Sequence, residues 1–189
     1  DLRSGCSLAE SVTPADVRAL RAANPGVPVV TYVNTSAAVK AESDICCTSG
    51  NAVKVIESLG VQKVIMIPDR FLAANVARQT GVEMVVHPGA CEVHERFTPL
   101  DIAQIRTDYP GVTVLAHPEC PPEVVDAADY AGSTAQMVDF VDAKAPKQVA
   151  LITECSMSDN VAQLYPDIDF VRPCNLCPHM KQITLPNIF

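Results

Sequence analysis

The chain is built on a repeat of about 85 residues, and a repeat constrains a fold more than any composition does, because each copy must be a supersecondary unit in its own right. Thr13-Pro14 opens a helical stretch that stops at Pro25-Gly26, and Thr98-Pro99 opens another that stops at Pro110-Gly111. Val17 and Leu20 in the first copy answer to Ile102 and Ile105 in the second. A β-branched strand follows each Pro-Gly: Val29-Val30-Thr31-Tyr32-Val33, then Thr113-Val114-Leu115-Ala116-His117. Asp44 corresponds to Asp129, and Thr48-Ser49 to Ser133-Thr134. Second helices are expected from about Asn51 and Ala135, second strands over residues 63–67 and 148–152, third helices around Asn75 and Asn160, and closing strands over 83–86 and 168–171. Strands of four to six apolar residues alternating with helices imply parallel sheets covered on both faces.

The expected fold is therefore α/β: two homologous three-layer αβα modules with short parallel sheets, joined near residues 87–97. Three cysteines keep the same period. Cys91 ends the first copy, Cys177 ends the second, and Cys6 stands 85 residues before Cys91. Cys6 then closes a still earlier copy, giving a pseudo-threefold architecture that lacks most of its first module. The expected boundaries are 1–6 for the end of that module, 7–91 and 92–177 for the two complete ones, and 178–189 for the start of a C-terminal segment. The sequence begins at Asp1, almost on top of a motif, so a fragment is expected.

Bulk properties narrow the function. Hydrophobic residues are 48% of the chain while aromatics are 5% and Trp is absent, so the core must be aliphatic. A net charge of −8 argues against a nucleic-acid partner, whose affinity rests on basic surface. No apolar run approaches the roughly 18 residues of a membrane span, and no signal peptide is visible. The expected location is cytoplasmic. Eight cysteines could in principle form disulfides, but a long α/β chain with an ample core more often uses them for metal or catalysis.

Three thiolates brought together by a pseudo-threefold fold, with no fourth, suit zinc with an open position or a [4Fe-4S] cluster with one iron left free. Cys174 and Cys177 also form a CxxC, but no second CxxC exists to complete a zinc knuckle. Cys46, Cys120 and Cys155 read as small core or loop residues, and Cys47 as a packing residue. Ligands of parallel sheets bind beyond the carboxyl ends of strands. Tyr32 and Asn34 leave the first strand of one module there, and His117 and Glu119 hold the same positions in the other. A His and a Glu in that place are suited to acid–base work. Thr48-Ser49 and Ser133-Thr134 are expected as N-caps of the helices they precede, and such helix ends also favour phosphate and carboxylate. His94, three residues past Cys91, is either structural or a support for the site.

Several segments, in order along the whole chain, resemble quinolinate synthase. They are residues 1–9 (Asp1-Leu2-Arg3-Ser4-Gly5-Cys6-Ser7-Leu8-Ala9), Tyr32-Val33-Asn34-Thr35-Ser36, Cys47-Thr48-Ser49-Gly50-Asn51-Ala52, Pro68-Asp69-Arg70, Gly89-Ala90-Cys91-Glu92-Val93-His94, His117-Pro118-Glu119-Cys120-Pro121, Gly132-Ser133-Thr134 and Cys177-Pro178-His179-Met180-Lys181. The resemblance implies three αβα modules around a [4Fe-4S] cluster. It implies condensation of iminoaspartate with dihydroxyacetone phosphate to quinolinate, for NAD biosynthesis. Cys6, Cys91 and Cys177 would be the cluster ligands. Tyr32, Asn34, Ser49, His117, Glu119, Ser133 and Thr134 would contact substrate, with Glu119, His117 and Tyr32 catalytic. An aspartate-oxidising enzyme is the implied partner. The family's first module supplies a further His and Tyr, so this polypeptide alone is expected to be inactive. The rival expectations are another three-cysteine iron–sulfur enzyme of the same architecture, or a zinc-stabilised binding module without chemistry.

Overall fold

The computed structural model describes residues 4–189, so Asp1-Leu2-Arg3 of the first motif lie outside the described residues. It divides into two compact units: residues 4–91 with Pro178–Phe189, and Glu92–Cys177. The short tail after Cys177 thus packs with the first unit.

In the first unit, α1 (Ser7–Ser11) and α2 (Pro14–Ala23) lead into β1 (Val29–Tyr32), followed by α3 (Ala37–Ala41), β2 (Ile45–Cys47), α4 (Ala52–Leu59), β3 (Lys63–Ile67), α5 (Arg70–Thr80) and β4 (Glu83–Val86). The strands form one parallel sheet in the order β2-β1-β3-β4. Alternation along the strands sends side chains to opposite faces. Val30, Tyr32, Val64 and Met66 pack with Leu8, Ile56, Leu72 and Val76 on one face. Val29, Ile65 and Ile67 pack with Val12, Val17 and Val39 on the other. Both faces are therefore dry, which is why the strands read as unbroken apolar runs.

The second unit repeats the plan. α6 (Pro99–Asp108), β5 (Thr113–Ala116), α7 (Pro122–Ala127), β6 (Tyr130–Ala131), α8 (Thr134–Lys144), β7 (Gln148–Ile152), α9 (Ser156–Leu164) and β8 (Asp169–Val171) follow in order. The sheet is again parallel, in the order β6-β5-β7-β8. Leu115, Val149, Leu151 and Phe170 meet Met137, Val141 and Val161 in an apolar cluster. The two three-layer αβα units are the architecture the repeat implies. The edge strands β2 and β6 went unread in the sequence, because runs of three and two residues carry no period.

The repeat extends to individual polar bonds. Thr13 and Asp16 form a capping box at α2, and Thr98 and Asp101 form one at α6, each followed by Pro at the first helical position. Gly26 and Gly111 end the following turns with φ of 79° and 88°, which glycine adopts without penalty. Asp44 accepts the Val29 N–H at 2.7 Å and meets Arg21 at 2.7 Å. Asp129 accepts the Val114 N–H at 2.7 Å and meets Arg106 at 3.0 Å. A third capping box, Thr184 with Asn187, opens α10 (Leu185–Ile188). Each of the three boxes begins seven residues after a cysteine: 6, 91 or 177. The period of the cysteines is thus the period of a folded cassette.

One expected detail is corrected. Thr48 and Ser49 do not cap α4. Asn51 stands at its N-cap, and its side-chain oxygen accepts the Thr48 N–H at 2.6 Å and the Thr48 hydroxyl at 3.1 Å. The Asn side chain closes the turn itself, so the hydroxyls are left outside the helix. Ser133 does cap α8, in a capping box with Gln136.

The loop bearing Cys91 is fastened to the end of β3. Asp69 and Gly89 form an isolated parallel bridge, and the Arg70 N–H donates to the Gly89 carbonyl at 2.8 Å. Gly89 sits where a Cβ would lie 2.6 Å from the Pro68 carbonyl oxygen and would also strike the Ser11 side chain. Gly89→Ala is therefore expected to lower stability by about 1–3 kcal/mol, the usual cost of overpacking. A denaturant midpoint equal to that of the unaltered protein would contradict this.

Candidate functional site

Apart from Cys6, which precedes β1, the residues singled out by sequence lie in each unit at or just beyond the carboxyl ends of strands. In the first, Tyr32 is the last residue of β1 and is buried, and its carbonyl accepts the Thr35 hydroxyl at 3.2 Å. Asn34, two residues on, is exposed. Ser49 is half-buried in the turn after β2. Cys6 is at the N-cap of α1, and Cys91 follows the Gly89 bridge. Both are half-buried and pack on the same apolar cluster. Ser7, next to Cys6, donates its hydroxyl to the Ala90 carbonyl, next to Cys91, at 3.4 Å. The loops of these two cysteines are therefore tied together. His179, two residues past Cys177, lies 3.6 Å from the Glu10 carboxylate, four residues past Cys6.

In the second unit, His117 and Glu119 follow β5 and are 4% and 3% exposed. Such burial of a carboxylate is costly unless partners surround it. The partner on one side is His94, whose Nδ1 lies 2.9 Å from Glu119 Oε2. The His94 ring stacks on His117 with centroids 4.7 Å apart and planes 19° from parallel, and its Nε2 is 2.9 Å from the Thr153 hydroxyl. The Glu119 N–H donates to His117 Nδ1 at 3.3 Å. That bond leaves the proton of a neutral His117 on Nε2. Burial, against the attraction of Glu119, pushes the His117 pKa down to about 4, and His94 beside it works in the same direction as burial.

Ser133, buried, and Thr134, exposed, begin α8 beyond β6. Cys177 is half-buried, and its N–H meets Glu154 Oε1 at 3.5 Å. Glu154 and Asn175 make the same isolated bridge in this unit that Asp69 and Gly89 make in the other. No disulfide joins any of the eight cysteines among the described residues. Cys174 is exposed, and hydrogen bonding from it helps burial push the Cys155 thiol up to about 11. Burial likewise lifts Cys47 to about 12, so it stays a packed thiol. Cys120, fully buried, donates to the Ile152 carbonyl at 3.6 Å.

The depressed His117 has a consequence for stability. An unfolded chain protonates this ring near pH 6.5, whereas the folded chain holds it neutral to about 4. Between those values the unfolded state binds more protons, so stability falls as pH falls. Above about 6.5 both states are neutral and the effect vanishes. The loss is expected to reach about 3 kcal/mol near pH 4. Urea unfolding of the protein and of His117→Gln across this range tests it, and parallel pH dependences would contradict it.

Thr153 and Glu154 were not legible as site residues. Thr153 falls opposite Pro68 in the repeat, so no matched polar pair marks it. Glu154 does fall opposite Asp69, and that match was a usable signal. Asp69 accepts the Phe71 and Leu72 N–H groups at the start of α5, and Glu154 accepts the Ser156 N–H at the start of α9.

The family model described as NadA, Quinolinate synthetase A protein, matches residues 1–189. Among similar curated proteins, quinolinate synthase 2 of Mesorhizobium japonicum is 67% identical over 188 residues, covering 100% of this chain and 58% of that protein. Quinolinate synthase of Agrobacterium fabrum is 67% identical, with 54% of its length covered, and that of Sinorhizobium medicae is 55% identical, with 53% covered. The chain thus spans about half the length of the curated relatives it matches.

Proposed function

Because this chain belongs to the quinolinate synthase family, we propose that the full-length protein condenses iminoaspartate with dihydroxyacetone phosphate to give quinolinate, phosphate and water, in NAD biosynthesis. The observation that carries the reading is Glu119, a carboxylate buried between two imidazoles at a strand end of such a chain.

Cys6, Cys91 and Cys177 would hold a [4Fe-4S] cluster. What supports this donor set is its chemistry: three half-buried thiols, none in a disulfide, each opening the same folded cassette. When bound, the cluster supplies a Lewis-acidic iron, left without a fourth protein ligand, that polarises oxygen atoms of the substrate.

The chain's own groups account for the rest. Both substrates are anionic while the chain carries −8, so binding must come from local donors. The first turn of α8, with Ser133 and Thr134, offers N–H groups and the positive end of an 11-residue helix to a phosphate or carboxylate. Ser49, Tyr32 and Asn34 add hydroxyl and amide donors. His117, neutral at pH 7, donates from Nε2 without adding charge. Glu119 takes a proton from carbon during enolisation and returns one to the departing hydroxyl, as a buried general base and acid. Iminoaspartate is an imine that water destroys, so a reaction that oxidises aspartate must supply it nearby, in the cytoplasm.

The test is an anaerobic assay of quinolinate formation by the reconstituted full-length protein, alongside iron and sulfide analysis. Product formation with ~four irons and ~four sulfides per chain supports the reading. Stoichiometric zinc with no product would refute it in favour of a metal-stabilised binding module.

A further inference from the structure

We infer that Glu154 is a positioning residue for the Cys177 thiol: its carboxylate ties the Cys177 backbone to the start of α9 and so sets the reach of the thiol. This inference rests on the reading in which Cys177 ligates iron. Glu154 is half-buried, two residues beyond β7. Its Oε2 accepts the Ser156 N–H at 2.8 Å, and its Oε1 accepts the Cys177 N–H at 3.5 Å. The backbone adds a second tie, the isolated parallel bridge between Glu154 and Asn175, two residues before Cys177.

A backbone N–H can only donate, so both bonds need an acceptor, and they fall on different atoms of one side chain. A carboxylate accepts at both oxygens and meets that demand. A glutamine has one oxygen and one NH2 group, so it would set a donor against one of the two N–H groups. The Ser156 hydroxyl also reaches Oε1, at 3.4 Å, but a hydroxyl can rotate and makes no such demand. Length matters as well as charge. Asp69 holds the equivalent place in the first unit, and its Oδ1 takes both the Phe71 and the Leu72 N–H groups at the start of α5. Glu154, one methylene longer, divides its oxygens between helix and loop. Residues 172–177 follow β8 as a loop with neither helix nor strand. Arg172 pairs with Asp159 at 2.9 Å, and Asn175 donates to the Val93 carbonyl at 3.4 Å, but both precede Cys177. Glu154 holds the ligand residue itself, and groups behind a metal ligand fix its orientation and its grip on the metal.

The test uses the full-length protein with Glu154→Gln and Glu154→Asp. Glutamine keeps the length and loses one acceptor. Aspartate keeps the charge and, like Asp69, is expected to stay with the helix and release the loop. Hydrogen exchange of the iron-free protein, read by mass spectrometry on peptides spanning 172–177, is expected to quicken ~10-fold in both variants, the scale of a lost bond to a charged acceptor. Peptides of β5 and β7 should exchange as they do in the unaltered protein. After anaerobic reconstitution, both variants are expected to lose iron to a ferrous-iron chelator ~10-fold faster or more, in the range by which groups behind a ligand affect metal affinity. A Glu154 that merely stabilised the fold would lower the unfolding midpoint and leave iron release from the folded protein unchanged. Rates equal to the unaltered protein's in a folded variant, by either measure, overturn the inference. If the unaltered protein takes up no iron and sulfide, the cluster reading fails instead, and the exchange rates still decide whether Glu154 holds Cys177.

Discussion

Glu119→Gln, made in the full-length protein, is expected to lower kcat for quinolinate formation by ~10²–10⁴, the range that a positioned general acid–base group contributes. Glutamine has nearly the same shape, so the fold and substrate binding should survive, and KM should move by no more than a few-fold. Its side-chain oxygen can still sit beside His94 Nδ1, which lies 2.9 Å from the carboxylate oxygen it replaces. What it cannot do is take up and release a proton. A fall in kcat without a rise in KM is the mark of an interaction used in the transition state alone. The surroundings argue for such use. A carboxylate 3% exposed gives little to stability unless it is fully partnered, and a purely structural one could be replaced with a change in stability alone and no loss of turnover. Unchanged turnover in Glu119→Gln would end its claim as the acid–base residue.

His117 and Glu119 were readable because the repeat set them opposite Tyr32 and Asn34, at places where parallel sheets expose strand ends. The central strands were readable for a related reason: Val29–Tyr32 and Lys63–Ile67 are buried on both faces and so form unbroken apolar runs. Where burial is one-sided or brief, the signal fails. β2 and β6 are edge strands of three and two residues, held by pairing with β1 and β5 and not by their own pattern. The capping role given to Thr48 and Ser49 failed because Asn51 takes the N-cap position and its side-chain oxygen accepts the Thr48 N–H and hydroxyl instead. Ser133 succeeded because Gln136 stands three residues later and completes the box. His94 was visible but ambiguous. Its meaning depends on Thr153 and Glu119, which are 59 and 25 residues away, and only a fold brings them to it.

On the proposed function, Cys177→Ser in the full-length protein is expected to abolish retention of a [4Fe-4S] cluster after reconstitution, read as loss of bound iron and sulfide and of broad visible absorption. Serine is a close match in size, and Cys177 is half-buried, so folding should be little affected. The proposed cluster would take one thiolate from each of the three cysteines, and a serine in place of one leaves two thiolates to hold it. Cys6→Ser and Cys91→Ser should give the same loss, because the three cysteines share one position relative to a capping box seven residues on. Cys174→Ser is the decisive control. Cys174 belongs to the same CxxC as Cys177, yet it is exposed and its side chain is engaged with Cys155. A cluster held by the periodic cysteines must tolerate its replacement, whereas a zinc knuckle or redox pair built on the CxxC would fail as badly as with Cys177→Ser. Equal loss in those two variants would move the metal from the repeat to the CxxC, and the Lewis-acid chemistry would have to be abandoned with it.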